Sequence, residues 1–179
     1  MNHQNENLQD AIVDSIYKDF GKGARYALLK AGQRGGKGVV AAKLINKGFK
    51  HVAIISATLD QAKVYITELV GGDSGITFVS GRPNKEWSKL DNSLIILDEA
   101  MWISNSYDLF VSLLLDFPIA RVLVTSSRGP SYDEDIRWQV LSGYSATAWD
   151  LNPRLNQADL ISTLCHANPS RFIRDYCAY

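Results

Sequence analysis

Three short stretches of this chain carry side chains whose types and spacing suit work on a phosphate ester. The first is "AGQRGGKG" (31–38), placed directly after an apolar run. Its form is close to G-x-x-x-x-G-K-[ST], a loop whose glycines let successive backbone N–H groups converge on phosphate oxygens, while the next helix adds the positive end of its dipole. Gln33, Arg34, Gly35, Gly36, Lys37, Gly38 and Val39 would line such a site. Lys37 would bridge the outer phosphates as a mobile point charge, and Arg34 adds a second cation. Two positions depart from the pattern: Ala31 replaces its first glycine, and Gly38 replaces the Ser or Thr after the lysine. Alone, the stretch is equally a glycine-rich turn between a strand and a helix.

The second stretch is "LIILDEA" (94–100), four apolar residues ending in two adjacent carboxylates. Such a pair at a strand end is costly unless a cation lies nearby. Asp98 is placed to hold Mg²⁺, directly or through its waters, and Glu99 to orient and deprotonate an attacking water. The third is "TSSRG" (125–129), where Thr125, Ser126 and Ser127 put small hydroxyls at another strand end. "SATLDQA" (56–62) does the same after a different strand. Hydroxyls there can sense a γ-phosphate or its water, although turns and caps use the same residues. The conjunction of the loop with the paired carboxylates, two strand–helix units apart, points to nucleotide hydrolysis.

Those residues need a scaffold that brings strand ends together, and the patterning supplies one. Short apolar runs at 25–32, 51–57, 76–81, 93–100, 120–127 and 144–149 read as strands, those at 25–32, 51–57 and 120–127 as buried ones. Between them lie amphipathic segments: one following Lys37, "TLDQAKVYITELV" with a Thr58–Gln61 capping box, "SYDLFVSLLLDF", and one opened by Pro130 and running through Val140. Near-continuous apolar strands alternating with helices predict an α/β fold with a mostly parallel central sheet flanked by helices on both faces. Ligands of such sheets bind beyond the C-terminal strand ends, where all three stretches fall. Residues 1–24 are expected to be a helical segment, 25–150 the core, and 151–179 a helical tail.

Composition bounds the rest. The 179 residues carry 46% hydrophobic and 21% charged side chains with no formal net charge. That is ordinary for a soluble domain and excludes an overall positive coat. The cluster Lys43, Lys47 and Lys50 reads as a solvated helix face. Trp87, Trp102 and Trp149 read as packing residues. Cys165 and Cys177 lack metal-ligand spacing, and His3, His51 and His166 are scattered, so no zinc site is expected. The N-terminus lacks the basic and apolar regions of a signal peptide, and no apolar run approaches a membrane span. The expectation is a soluble, cytoplasmic protein that is not secreted and contacts no membrane.

In this order the motifs resemble the ATPase domain of the large terminase subunit, the DNA-packaging motor of tailed bacteriophages. "GQRGGKG" resembles its Walker A loop, "IISATLDQA" the next strand and helix, "LIILDEA" its Walker B motif and "VLVTSSRG" its coupling motif. "SATAWDLNP" resembles the segment closing that domain, and "SRFIRDYCAY" the exit toward a second domain. The resemblance spans roughly residues 25 to 179. It implies a RecA-like P-loop NTPase that uses ATP and Mg²⁺. Double-stranded viral DNA would be the moved substrate. The portal protein, the small terminase subunit and a homo-oligomeric ring of its own copies would be the partners, at a procapsid portal in the host cytoplasm. Lys37 becomes the phosphate ligand, Asp98 the metal ligand, Glu99 the catalytic base, and Arg34 the arginine typical of that loop. Thr125, Ser126 and Ser127 become coupling residues. Arg82, Arg128 and Arg137 are candidates for an arginine supplied to a neighbouring subunit, Arg82 foremost. Gln4 and Gln9 are candidates for the family's adenine-binding glutamine.

The family's nuclease domain would begin where this chain stops, so no nuclease activity is expected of it. Without a hydroxyl at Gly38, a water would fill that metal position and Asp98 would be the main protein anchor. Two other readings use the same residues: a helicase or recombination ATPase, and a nucleotide-binding assembly protein with little hydrolysis.

Overall fold

The computed structural model describes residues 3–57, 70, 75–127, 136–138, 141–152, 155, 156 and 158. The helix expected after Thr58, with its capping box, lies outside the described residues, as do most of the tail, Arg128 and both cysteines. Of the helix expected from Pro130 through Val140 only Ile136–Trp138 is described, as a 3₁₀ turn.

Six strands form one sheet: β1 (Tyr26–Ala31), β2 (His51–Ile55), β3 (Thr77–Ser80), β4 (Ser93–Leu97), β5 (Arg121–Ser126) and β6 (Tyr144–Ala146). Their order is β3-β2-β4-β5-β1-β6, and every pairing is parallel. All six fall inside the apolar runs expected to be strands, with tighter ends. The run 144–149 gives only three strand residues before the chain turns into a short helix.

The apolar runs are continuous because successive side chains serve two different cores. Leu94 and Ile96 of β4 enter one core, while Ile95 and Leu97 enter the other. Val52 and Ile54 of β2 part from Ala53 and Ile55 in the same way. The first core lies under α1 (His3–Gly21) and α2 (Lys37–Ile45). There Ile12, Val13, Ile16 and Phe20, at helical spacing on α1, meet Val40, Leu44 and Ile45 of α2. The second lies under α3 (Ser106–Asp116), whose Phe110 and Leu113 pack with Phe117 and Trp138. Tyr26, Tyr107, Phe110 and Trp138 form a chain of edge-to-face and tilted rings there. The helices therefore cover both faces of the sheet, as expected. A fourth helix, α4 (Ala148–Leu151), follows β6, its first turn capped by the Thr147 side chain, which accepts from the Asp150 amide at 3.2 Å.

Charges hold α1 down as well. Lys43 near the end of α2 and Lys47 in the turn after it reach Asp10 and Asp14, one turn apart on α1, at 2.8 and 2.7 Å. These two lysines are ties between helices as well as a solvated face. Arg25, at the foot of β1, donates to the Leu114 and Phe117 carbonyls at the C-terminal end of α3. Among the described residues no helix is long and apolar enough to cross a membrane.

Candidate functional site

β1, β5 and β4 are neighbours in the sheet and run the same way, so their C-terminal ends open on one place. The loop after β1, the carboxylates after β4 and the hydroxyls after β5 meet there. The three separate sequence stretches are one hydrogen-bonded site.

Lys37 is the centre. Only 4% of its side chain is exposed. Its Nζ lies 2.9 Å from Glu99 Oε1 and donates to Ser127 Oγ at 2.8 Å. It also donates to the Ala31 and Gly32 carbonyls of its own loop, both at 3.2 Å. A buried ammonium with four oxygens around it is fully satisfied, and the carboxylate compensates its charge. This answers the cost of placing acidic residues at a buried strand end: the needed cation is Lys37, delivered from two strands away.

Glu99 is held on several sides. Its backbone is left-handed, with φ 49°, which turns the side chain back toward Lys37. Its Oε2 accepts from the Ser127 hydroxyl at 2.9 Å and from the Ser127 amide at 3.3 Å. Its own amide donates to Thr125 Oγ1 at 3.1 Å. The same Thr125 oxygen donates its proton to Asp98 Oδ1 at 2.6 Å. Thr125 thus joins the two acidic residues, fixing one by its side chain and the other by its backbone. Asp98 and Thr125 are buried. Ser126 differs from its neighbours. Its hydroxyl donates to the Ser127 carbonyl at 2.9 Å, so of the three coupling candidates only Thr125 and Ser127 contact the charged residues through their side chains.

The loop itself has the backbone that its glycines suggest. Gly36 caps α2 with φ 86°, a conformation that strains any residue with a Cβ. Arg34 adopts φ 59° without that freedom and is exposed. Gly35 is needed for a different reason: a Cβ there would sit 2.8 Å from the Gly32 carbonyl oxygen and 3.3 Å from Ala148 Cα. Lys37, Gly38 and Val39 form the first turn of α2, the helix end that favours anions; the Val39 amide there donates to the Gly36 carbonyl at 2.9 Å.

A hard oxygen donor fits Mg²⁺, and the buried Asp98 carboxylate beside the Lys37 loop is one. Gly38, on the same first turn, has no hydroxyl to add. Among the described residues no three His, Cys, Asp or Glu gather into a metal cluster. Mg²⁺ at a phosphate site needs no such cluster, since phosphates and waters fill most of its positions.

The expected arginines stand elsewhere. Arg82 pairs with Asp116 on the surface. Arg137 donates to Asp108 at 2.6 Å and lies over the Tyr107 ring. Neither reaches the Lys37–Glu99 pair of its own chain. Of the tryptophans read as packing, Trp87 is buried, but Trp102 is 53% exposed. Two cavities, of about 720 and 660 Å³, lie at the other end of the sheet, around Arg25–Leu28 and around Phe49, Asn92 and Ile119.

Sequence reasoning passed over the short helix after β6. Asn152, at its end, donates from Nδ2 to the Arg34 carbonyl at 2.7 Å. Gln9, weighed at first only as an adenine ligand, is buried and donates from Nε2 to the Leu151 carbonyl at 2.6 Å. No local pattern marks either residue, because both act across the fold. No protein-family model matches the chain, and no curated protein matches it.

Proposed function

We propose that the chain is an ATP-hydrolysing RecA-like P-loop domain, and that its cleavage of ATP drives viral double-stranded DNA into a procapsid. One observation carries the catalytic half: an anion-seeking lysine, a carboxylate pair and two hydroxyls meet at neighbouring parallel strand ends beside a helix N-terminus. The packaging half rests on the resemblance to the terminase large subunit, carried by "GQRGGKG", "LIILDEA", "VLVTSSRG" and "SATAWDLNP". Portal protein, small terminase subunit and a ring of copies are the partners that go with it.

The mechanism follows from the hydrogen bonds. Before nucleotide arrives, the Glu99 carboxylate occupies the Nζ of Lys37 much as a phosphate oxygen would. An entering triphosphate competes for that ammonium. Once Lys37 turns to the phosphates, Glu99 keeps its two bonds from Ser127 and has an oxygen directed at the crevice. It then accepts a proton from the water that attacks the γ-phosphorus, and the bond to the ADP oxygen breaks. Asp98 is the side chain that would hold Mg²⁺, which when bound neutralises charge on the phosphate oxygens. Thr125 and Ser127 would report the presence of the γ-phosphate to β5.

Glu99→Gln tests the assignment. Phosphate release should fall by roughly a hundredfold or more. Affinity for a non-hydrolysable ATP analogue should be kept or rise severalfold, because a neutral amide competes poorly for Lys37. Undiminished turnover would remove Glu99 from its role. The second reading, a nucleotide-binding assembly protein, draws on Gly38 and on how tightly Glu99 holds Lys37. It predicts analogue binding by the unmodified chain with no phosphate release even when subunits and DNA are present.

A further inference from the structure

The Lys37 loop is held from outside by residues from the two ends of the described chain. Arg34 and Gly36 both have left-handed backbones, and Arg34 has no glycine's freedom to adopt one. Something must over-determine that geometry. Asn152 Nδ2 donates to the Arg34 carbonyl at 2.7 Å. Ala148, one turn earlier, packs so closely that a Cβ on Gly35 would lie 3.3 Å from its Cα. On the other side, Gln9 of α1 is 5% exposed, and its Nε2 lies 3.1 Å from where a Cβ on Gly36 would be. That nitrogen donates to the Leu151 carbonyl at 2.6 Å, joining residues 142 positions apart. Gln9 therefore fastens the end of α4 while closing over Gly36, and Asn152 fastens Arg34.

We propose that Gln9 and Asn152 are positioning residues that clasp the phosphate-binding loop, fixing its left-handed residues before any ligand arrives. Each side chain donates to a backbone carbonyl, Gln9 to Leu151 and Asn152 to Arg34. Both act through the loop backbone, lowering the ordering that an anion would otherwise impose on it. Because Asn152 stands where the chain leaves the core, the same bond ties loop geometry to the segment that follows. The proposal deepens the reading of the loop as a polyphosphate site, and rests on it only for the ligand.

The test uses the full chain with Asn152→Ala, Asn152→Asp and Asn152→Gln, and with Gln9→Glu as a second route. Hydrogen exchange without ligand reads the amides of 33–39 directly. Asn152→Ala and Asn152→Asp should speed exchange in that peptide while β4 and β5 stay unchanged. Asn152→Gln, which keeps an amide donor, should restore much of the protection. Affinity for the non-hydrolysable ATP analogue should drop about tenfold in the first two and recover in the third. Unchanged loop exchange in Asn152→Asp and Gln9→Glu overturns the clasp, whatever the ligand data show. Faster loop exchange in a chain whose unmodified form binds no triphosphate supports the clasp and removes the nucleotide reading instead.

Discussion

Gly38 is the one residue of the loop whose chemistry is missing rather than present. It lies in the first turn of α2 with a backbone any residue adopts, so Ser fits the helix there. Replacing a helical glycine should itself stabilise the chain by roughly 0.5 kcal/mol. Gly38→Ala supplies that control without a hydroxyl. Gly38→Ser should lower the Mg²⁺ concentration needed for half-maximal binding of an ATP analogue by severalfold relative to Gly38→Ala. Equal Mg²⁺ dependence, measured by calorimetric titration, would show that Asp98 and waters complete the site unaided. The other chemical residues were legible because a single rule places them. Lys37, Asp98, Glu99 and Ser127 each follow a buried strand, Thr125 lies at the end of one, and parallel strands end together. What the rule could not give was the pairing of Lys37 with Glu99, which depends on β5 lying between their strands and on the left-handed turn at Glu99. Gln9 and Asn152 were illegible as loop supports for a plainer reason: nothing near either residue in sequence says what it will touch.

At the level of elements, the strands were readable and their companions less so. Apolar runs over β1 to β5 survive because each feeds two cores, which leaves few other ways to bury them. The run 144–149 misled at its end, since Thr147 caps a helix and stops β6. α1 reads from its apolar spacing, but its attachments do not. Asp10, Asp14 and Asp19 tie it to Lys43, Lys47 and Tyr144. Two of these ties titrate. Burial, and then the hydrogen bond to Asp19, push the Tyr144 hydroxyl up from 10.0 to about 12. The hydrogen bond to Asp14 raises Lys47 from 10.5. Both folded-state values lie above the unfolded ones, so each contribution is complete below pH 10 and is lost as pH rises through the folded value. The thermal midpoint should therefore decline between pH 10.0 and about 12, through loosening of α1. Tyr144→Phe should be slightly less stable at neutral pH and show a shallower decline. Parallel pH curves for the two proteins would remove Tyr144 as a cause.

For the whole molecule, the question is what completes the site when Arg82 and Arg137 pair elsewhere among the described residues. Arg82 lies on the outside, paired with Asp116, whose neighbour in the chain, Leu115, is 75% exposed. A surface pair of this kind is worth little, so a neighbouring subunit could draw Arg82 away from Asp116 at small cost. In a ring, that arginine would enter the next subunit's crevice and neutralise charge on the transferred phosphoryl group. A mixing experiment separates this from a role within one chain. Arg82→Ala subunits keep Glu99 but lack the finger, and Glu99→Gln subunits keep the finger but lack the base. Each alone should hydrolyse ATP poorly. Mixed at concentrations that permit subunits to associate, Arg82 of one subunit should serve the intact Glu99 of another. Turnover should then rise well above the sum of the two separate preparations. A mixture no more active than that sum would confine Arg82 to its surface pair and leave Arg128 and Arg137 as the remaining sources of the charge.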